Sequence, residues 1–295
     1  VIGGPWSFFR RMRVLAGGVI LEDVDNYNRV HEMFSVLTAT DSRTNVAAEA
    51  FGQDYGDDEY QKGQLNTQNF KGIKGGRFLT VMFKPMSGIL NQSKYIPLRY
   101  CPLTIELELV QDILEPIVVL VGESANSFTP ANSSYKWQIQ NVQVKCDVCI
   151  LDNALDNSYA SHLLEGKELN INYHSVISQT QSLLSGATGQ KKVRLNVART
   201  LSRLKRVYLT FYKDIPNTFT EKYWNTFYSP MLGDENFSDE HEFETQLQIG
   251  AKQFPEYPIR SHNEAMYQLR KSLGLQSNVL HHFDISAKQY RSRKF

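Results

Sequence analysis

Cys146 and Cys149 have the spacing most suggestive of a reactive site, because two thiols three residues apart form half of many zinc sites. Two such thiolates converge on one ion when they lie in a turn. Here they lie in a stretch of alternating apolar and polar residues, and residues i and i+3 of a strand point to opposite faces. The sequence contains no second half-site. We therefore expect no bound metal.

Two glutamates, Glu106 and Glu108, could form a catalytic carboxylate pair, since residues two apart on a strand project from the same face. They carry like charges, however, and no His, Tyr or Trp lies between them. Charged residues on the exposed face of an apolar strand also protect against aggregation. The pattern therefore favours a surface role for both.

The histidines and glycines predict no catalytic or cofactor site. His31 lies beside an apolar helical stripe and is interpreted as a packing or surface residue. Residues 71–77 are glycine-rich but lack the spacing and the Lys-Ser/Thr ending of a phosphate-binding loop. The other six histidines show no ligand spacing: His162, His174, His241, His262, His281 and His282. We expect no catalytic residues and no cofactor.

Composition indicates a folded protein with a protein partner. The chain has 295 residues, of which 41% are hydrophobic and 12% aromatic, enough for two ordinary domains with cores. Its 32 basic residues are matched by 31 acidic ones, so no net field favours nucleic acid or an anionic membrane. No apolar run reaches the roughly 20 residues of a transmembrane helix. Three cysteines do not make a disulfide framework.

The elements that would position these residues are organised around residues 136–173. Alternation from Val142 to Ile150 predicts a strand, and its slip at Gln140 and Asn141 predicts a β-bulge. A helix is predicted between the cap residues Asp152 and Gly166, and alternation then restarts at residue 169. This pattern indicates a stiff joint between two β-sandwiches. We predict a first domain at 1–151, a joining helix at 152–167 and a second domain at 168–295.

Each half has strands, one long polar loop and one helix. In the first half we predict a hairpin around Gly17-Gly18, a helix of residues 27–37 capped by Asp23 or Asp25, strands at 78–84 and 95–110, and a loop at 41–76. In the second half we predict strands at 169–183, 193–197, 207–212 and 246–249, a loop at 217–243, and a helix from Ser261 to Gly274 with a capping box.

Alternation with polar neighbours also predicts two buried cores. The first core would contain Leu103, Ile105, Leu107, Leu109, Val142, Val144, Val148 and Ile150. The second would contain Leu195, Val197, Val207, Leu209 and Phe211.

Four stretches, in order, resemble the major capsid proteins of polinton-like viruses and their relatives among virophages and Polinton elements. They are WSFFRRMRVLAGGVILEDVDNYNRVHEMF at 6–34, YIPLR at 95–99 followed by LTIELELV at 103–110, the joint at 152–172, and IGAKQFPEYPIRS at 249–261 with the helix after it. The resemblance is spread over nearly the whole chain.

This resemblance implies an all-β fold of two tandem jelly-roll sandwiches with short connecting helices, a double jelly roll. It implies that three copies form a pseudo-hexameric capsomer, which tiles an icosahedral shell of a double-stranded DNA virus beside neighbouring capsomers and a penton or minor capsid protein. The protein would then reside in the virion and assemble inside the infected host cell. We count about six strands before the joint and five after it, where the family has eight and eight. Both ends therefore look truncated.

The loop at 217–243 carries three aromatic residues near its start, Trp224, Phe227 and Tyr228. Such side chains need cover, so they are our candidates for the trimer contact. If the two rolls stand parallel, as in the family, both long loops should emerge from the same end. Jelly rolls also host lectins and enzymes, so the alternative is a tandem β-sandwich that binds glycans or hydrolyses a small substrate.

Overall fold

The structure is a computed structural model of the chain. It describes residues 4–38, 78–111, 116, 136–182, 193–198, 201, 203–212, 227–228 and 244–274. The long loops at 41–76 and 217–243, apart from residues 227–228, lie outside this description, as do both chain ends.

The N-terminal unit is built on a three-stranded antiparallel sheet. A 3-10 turn, Pro5–Phe8, leads into β1, Phe9–Ala16, and β2, Val19–Val24, follows. Gly17 and Gly18 turn the chain between the strands with φ of 55° and 85°, a region that glycine adopts without strain. The predicted hairpin is thus confirmed, although residues 6–8 belong to the 3-10 turn. β3, Leu103–Leu109, pairs with the other edge of β1, giving the order β2-β1-β3.

Helix α1, Tyr27–Val36, packs on the inner face of this sheet. The core contains Trp6, Phe9, Met12, Val14, Val24, Tyr27 and Ile89. The apolar stripe of the sequence predicted this helix correctly, but Asp23 and Asp25 do not cap it. The N-cap is Asn26 in the left-handed conformation, and Asp23 instead accepts two hydrogen bonds from Arg11 at 2.7 and 2.6 Å.

Helix α2, Asn153–Leu164, is the predicted joining helix. Asp152 caps it by accepting a hydrogen bond from the Leu155 amide at 2.7 Å. Gly166 follows its end with φ of 74°. Before the helix, Asn141 has φ of 54°, at the position where the alternation slips. Both helix ends are therefore confirmed.

The remaining elements are short. β4, Phe211–Tyr212, pairs with β5, Phe227–Tyr228, and β6, Thr245–Ile249, pairs with β7, Lys252–Ile259. Helix α3, His262–Ser272, starts with the predicted capping box, in which Ser261 Oγ accepts from the Glu264 amide and the Glu264 carboxylate accepts from the Ser261 amide. Gly274 follows it with φ of 77°.

Several predicted strands are not formed within the described residues. Residues 78–84, 136–150, 169–182, 193–198 and 207–210 have neither helix nor strand assignments there. Alternation in sequence indicates two unlike faces, but a strand exists only where its N–H and C=O groups bond to a neighbouring strand. That neighbour is not set by local sequence.

Both predicted cores are wrong in most of their members. Leu103, Ile105, Leu107 and Phe211 are half-buried. Val142 is 68% exposed and Ile150 is 91% exposed. The other exposed members are Leu109, Val144, Val148, Leu195, Val197, Val207 and Leu209. These residues alternate as a half-buried strand does, but burial also needs a second layer on that face.

Within the part of the chain that the structure describes, none of the helices has the length and apolar character needed to span a bilayer.

Candidate functional site

The predicted trimer contact is only partly described. Phe227 and Tyr228 form β5, where Phe227 lies opposite Tyr212 and Tyr228 opposite Phe211. Trp224 lies outside the described residues. The assignment of these three aromatics to a trimer contact therefore stays a prediction, as does the placement of the two long loops at one end.

The cysteines are placed as free thiols. Cys146 and Cys149 are exposed and Cys101 is half-buried. Among the described residues, His, Cys, Asp and Glu side chains form no group of three that could hold a metal ion. The expectation of a metal-free protein remains a prediction, and stoichiometric zinc in the purified protein would contradict it.

Glu106 and Glu108 face arginines across the outward side of the three-stranded sheet. Glu106 lies 3.1 Å from Arg13 Nε, and Glu108 lies 3.9 Å from Arg10 Nη1. On the other side of β1, Arg11 donates hydrogen bonds to Asp23, and these raise the pKa of the Arg11 guanidinium. The basic residues of the central strand are thus flanked by acids on both neighbours. This arrangement suits a charge-compensated surface, since exposed pairs of this kind contribute only about 0–1 kcal/mol each.

Glu22 is a buried polar residue whose structural role was not predicted from the sequence. Its side chain lies in the core, 2% exposed, and accepts hydrogen bonds from Ser87 Oγ, from the Gly88 amide at 2.8 Å and from the Ile89 amide at 3.4 Å. The signal was present, because Glu22 has the same strand parity as the buried Val24. A buried carboxylate is stable only when its oxygens are bonded. Glu22 therefore anchors the turn at 85–91 to β2.

Tyr27 holds the same turn from the helix side. Its hydroxyl accepts a hydrogen bond from the Met86 amide at 2.9 Å. Burial raises the pKa of Tyr27, which keeps the phenol neutral. Glu22 and Tyr27 together accept hydrogen bonds from the backbone N–H groups of residues 86, 88 and 89 and from the hydroxyl of Ser87. We call this group the Glu22 anchor.

Residues 170–180 come after the joining helix, yet they contact the N-terminal unit. Ile171 and Tyr173 pack against its core, and the Tyr173 hydroxyl donates to the Leu21 carbonyl at 3.2 Å. Gly88 lies so close to this segment that a Cβ there would be 1.9 Å from the His174 carbonyl oxygen. The boundary predicted at 168 thus separates residues that are in contact.

His31 packs among aromatic rings, in agreement with its interpretation from sequence. It stacks on Trp6 with ring centroids 4.0 Å apart and meets Tyr27 and Phe83 edge-on at 5.6 and 6.1 Å. Its Nδ1 is buried without a hydrogen-bond partner, and Nε2 lies 3.4 Å from the Lys84 carbonyl. Burial lowers the pKa of His31 to about 4. The imidazole is therefore a neutral packing group near pH 7.

Taken together, these contacts position turns and segments rather than a reactive atom. The buried carboxylate is saturated by donors from its own chain, and the neutral imidazole is enclosed by rings. The exposed carboxylates are matched by arginines. Such an arrangement can hold a rigid unit with a neutral outer face.

Comparison with known proteins adds no relative: no family model, no curated protein and no solved structure matches this chain.

Proposed function

We propose that this protein is a structural capsid protein of the double jelly-roll type, which forms homotrimers that serve as pseudo-hexameric capsomers of an icosahedral shell. The observation that carries the proposal is the position of the described elements. β1, β2 and most of α1 fall in the first capsid-like stretch, β3 in the second, α2 in the third, and β7 with α3 in the fourth. Strands with a few connecting helices are what the resemblance implies for these stretches.

The surface chemistry supports the same proposal. A shell protein must meet many copies of itself without a large field of one sign, and this chain has a formal net charge of +1. The outward face of β1 is internally compensated by Asp23, Glu106 and Glu108. A nucleic-acid surface would instead need clustered, unopposed lysines and arginines. The partners we propose are two further copies of this chain, neighbouring capsomers and a penton or minor capsid protein, within the virion.

The first test is the mass of the purified protein in solution. We expect about 100 kDa by light scattering, corresponding to three chains of 33.8 kDa each. A monomer that binds glycans on an array, or that hydrolyses a small ester or glycoside, would overturn the proposal in favour of the alternative.

The second test addresses the predicted trimer contact. Replacement of Trp224, Phe227 and Tyr228 by Ser should reduce the trimer fraction while each half stays folded. Burial of the three rings could stabilise each trimer contact by several kcal/mol, at about 2 kcal/mol or more for each ring. The matched control replaces three exposed aromatics elsewhere by Ser: Phe78, Tyr95 and Tyr257. Equal trimer fractions for the two triple variants would contradict this assignment.

A further inference from the structure

The first turn of α1 is buried on all sides. Tyr27 is 0% exposed, Asn28 is 4% exposed and Arg29 is 6% exposed. Successive residues of an α-helix point about 100° apart, so three in a row cannot all face one sheet. The sheet and the core explain the burial of the Tyr27 side chain. The 3-10 turn reaches the side of Asn28, because Trp6 Nε1 donates to Glu32, one helical turn further along. A second cover is therefore needed on the side of α1 that carries Arg29.

The described contacts identify that second cover as the other half of the chain. The Arg29 guanidinium carbon lies 4.6 Å from the centre of the Tyr212 ring. Near the other end of the helix, Phe34 and Tyr208 meet edge-on with ring centroids 5.5 Å apart. Asn26, at the N-cap, donates a hydrogen bond to Thr180 Oγ1 at 3.3 Å. Contacts with the second half thus extend along the helix from its N-cap to Phe34.

Tyr212 links this contact to the predicted trimer strand. It is the second residue of β4, and its partner in the strand pair is Phe227 of β5. One ring contact and one strand pair therefore connect Arg29 to a residue of the candidate trimer contact. An Arg side chain over an aromatic ring gives a directional contact, because the planar guanidinium stacks where an ammonium cannot.

We propose that α1 is the docking element between the two halves: residues 208–212 bind α1 at Arg29 and at Phe34, and this binding fixes the position of β5. Arg29 and Tyr212 are then positioning residues for the trimer contact. The docking itself is independent of the capsid proposal, whereas its effect on assembly rests on that proposed function.

The test is backbone hydrogen exchange of the full chain, followed by mass spectrometry. One variant carries Tyr208→Leu and Tyr212→Leu together, and a second carries Arg29→Lys, which keeps the charge but not the planar group. The control is Tyr257→Leu, an exposed tyrosine on β7. We expect the amides of β4, residues 211–212, to exchange about tenfold faster in the double variant and less so in Arg29→Lys, with β1 protected as in the parent.

Two results would overturn the docking: unchanged exchange of β4 in the double variant, or loss of protection throughout β1. A docked segment can be released without unfolding the core beneath it. Assembly is measured separately on the same samples. If the parent is a trimer, the double variant should lower the trimer fraction severalfold, and an unchanged fraction would overturn the link to β5. If the parent is a monomer, the capsid proposal fails while the exchange result still decides the docking.

Discussion

At the scale of single residues, stability of the N-terminal unit depends on polar atoms that are buried and bonded. Glu22 and His31 lie in the same unit but in opposite situations. Glu22 has its oxygens occupied by donors of the turn at 85–91, whereas His31 has one ring nitrogen without a partner. Substitution or a change of pH should therefore affect them differently.

Replacement of Glu22 by Gln should lower the free energy of unfolding by about 2 kcal/mol, because an amide nitrogen would then face N–H donors in a buried site. The matched control is Glu108→Gln on the outward face, where the loss should stay below about 0.5 kcal/mol. Urea denaturation of the two variants measures both values. Equal losses would contradict the role of the Glu22 anchor.

The stability of the protein should also depend on His31 below pH 6.5. The folded-state pKa of about 4 lies below the ordinary histidine value of 6.5, so between these values the unfolded chain binds more protons than the folded one. Stability is therefore full above pH 6.5 and falls as the pH falls towards 4, by up to about 3 kcal/mol. The hydrogen bond between Nε2 and the Lys84 carbonyl acts in the opposite direction, raising the pKa, but burial outweighs it.

Urea unfolding at pH 7 and pH 4.5 tests this dependence when the parent is compared with His31→Phe. The substitution keeps a ring among Trp6, Tyr27 and Phe83 but removes the titrating group. We expect a smaller difference between the two pH values in the variant. Identical differences in the two proteins would show that other groups cause the acid sensitivity.

At the scale of elements, the stability of the joining helix α2 depends more on its capped ends than on burial of its side chains. None of its residues is fully buried. An isolated helix of 12 residues is only marginally stable in water. The stability of α2 therefore depends on the cap at Asp152 and on the contacts of Asp156 with Arg99 and Tyr100 more than that of a core helix would.

Asp152→Ala should therefore lower the local stability of α2 by about 1 kcal/mol, because the Leu155 amide loses its acceptor. Asn157→Ala, an exposed position within the helix, is the control and should be neutral or slightly stabilising, since Ala has the higher helix propensity. Amide exchange at residues 153–157 measures the difference. Similar exchange in both variants would mean that tertiary contacts rather than the cap hold the helix.

At the scale of the whole molecule, contact between the two halves goes beyond the joining helix. Residues 170–180 cover the N-terminal core, and residues 208–212 lie on α1. The N-terminal unit therefore lacks part of its cover without residues from beyond the joint. We expect a fragment that ends at residue 167 to be less stable than the same unit in the full chain.

Gly88→Ala tests the closest of these contacts. A methyl group cannot fit against the His174 carbonyl, so the turn and the segment must separate, at a cost of roughly 2 kcal/mol or more. Limited proteolysis should then cut between residues 168 and 182 faster than in the parent. Ser93→Ala, an exposed residue of the same turn region, is the control and should leave the rate unchanged. Equal rates in the two variants would contradict the close approach.

The sequence by itself determined the features that depend on a few neighbouring residues. The Gly17-Gly18 turn, the Asp152 cap, the capping box of Ser261 and Glu264, and the stripe of α1 all follow from bonds or spacings within about four residues. The packing role of His31 followed from its place beside that stripe.

Only the tertiary structure decided which segments meet. β1 pairs with β3 about ninety residues later in the chain, Glu22 meets the turn at 85–91, and residues beyond the joint cover α1. The predicted cores were wrong for the same reason. The alternation around Val142 and Leu195 shows that the two faces of each predicted strand differ, but it does not show which layer packs on either face. The pairing of distant segments is set by the free energy of the whole fold, and no local pattern of residue types records it.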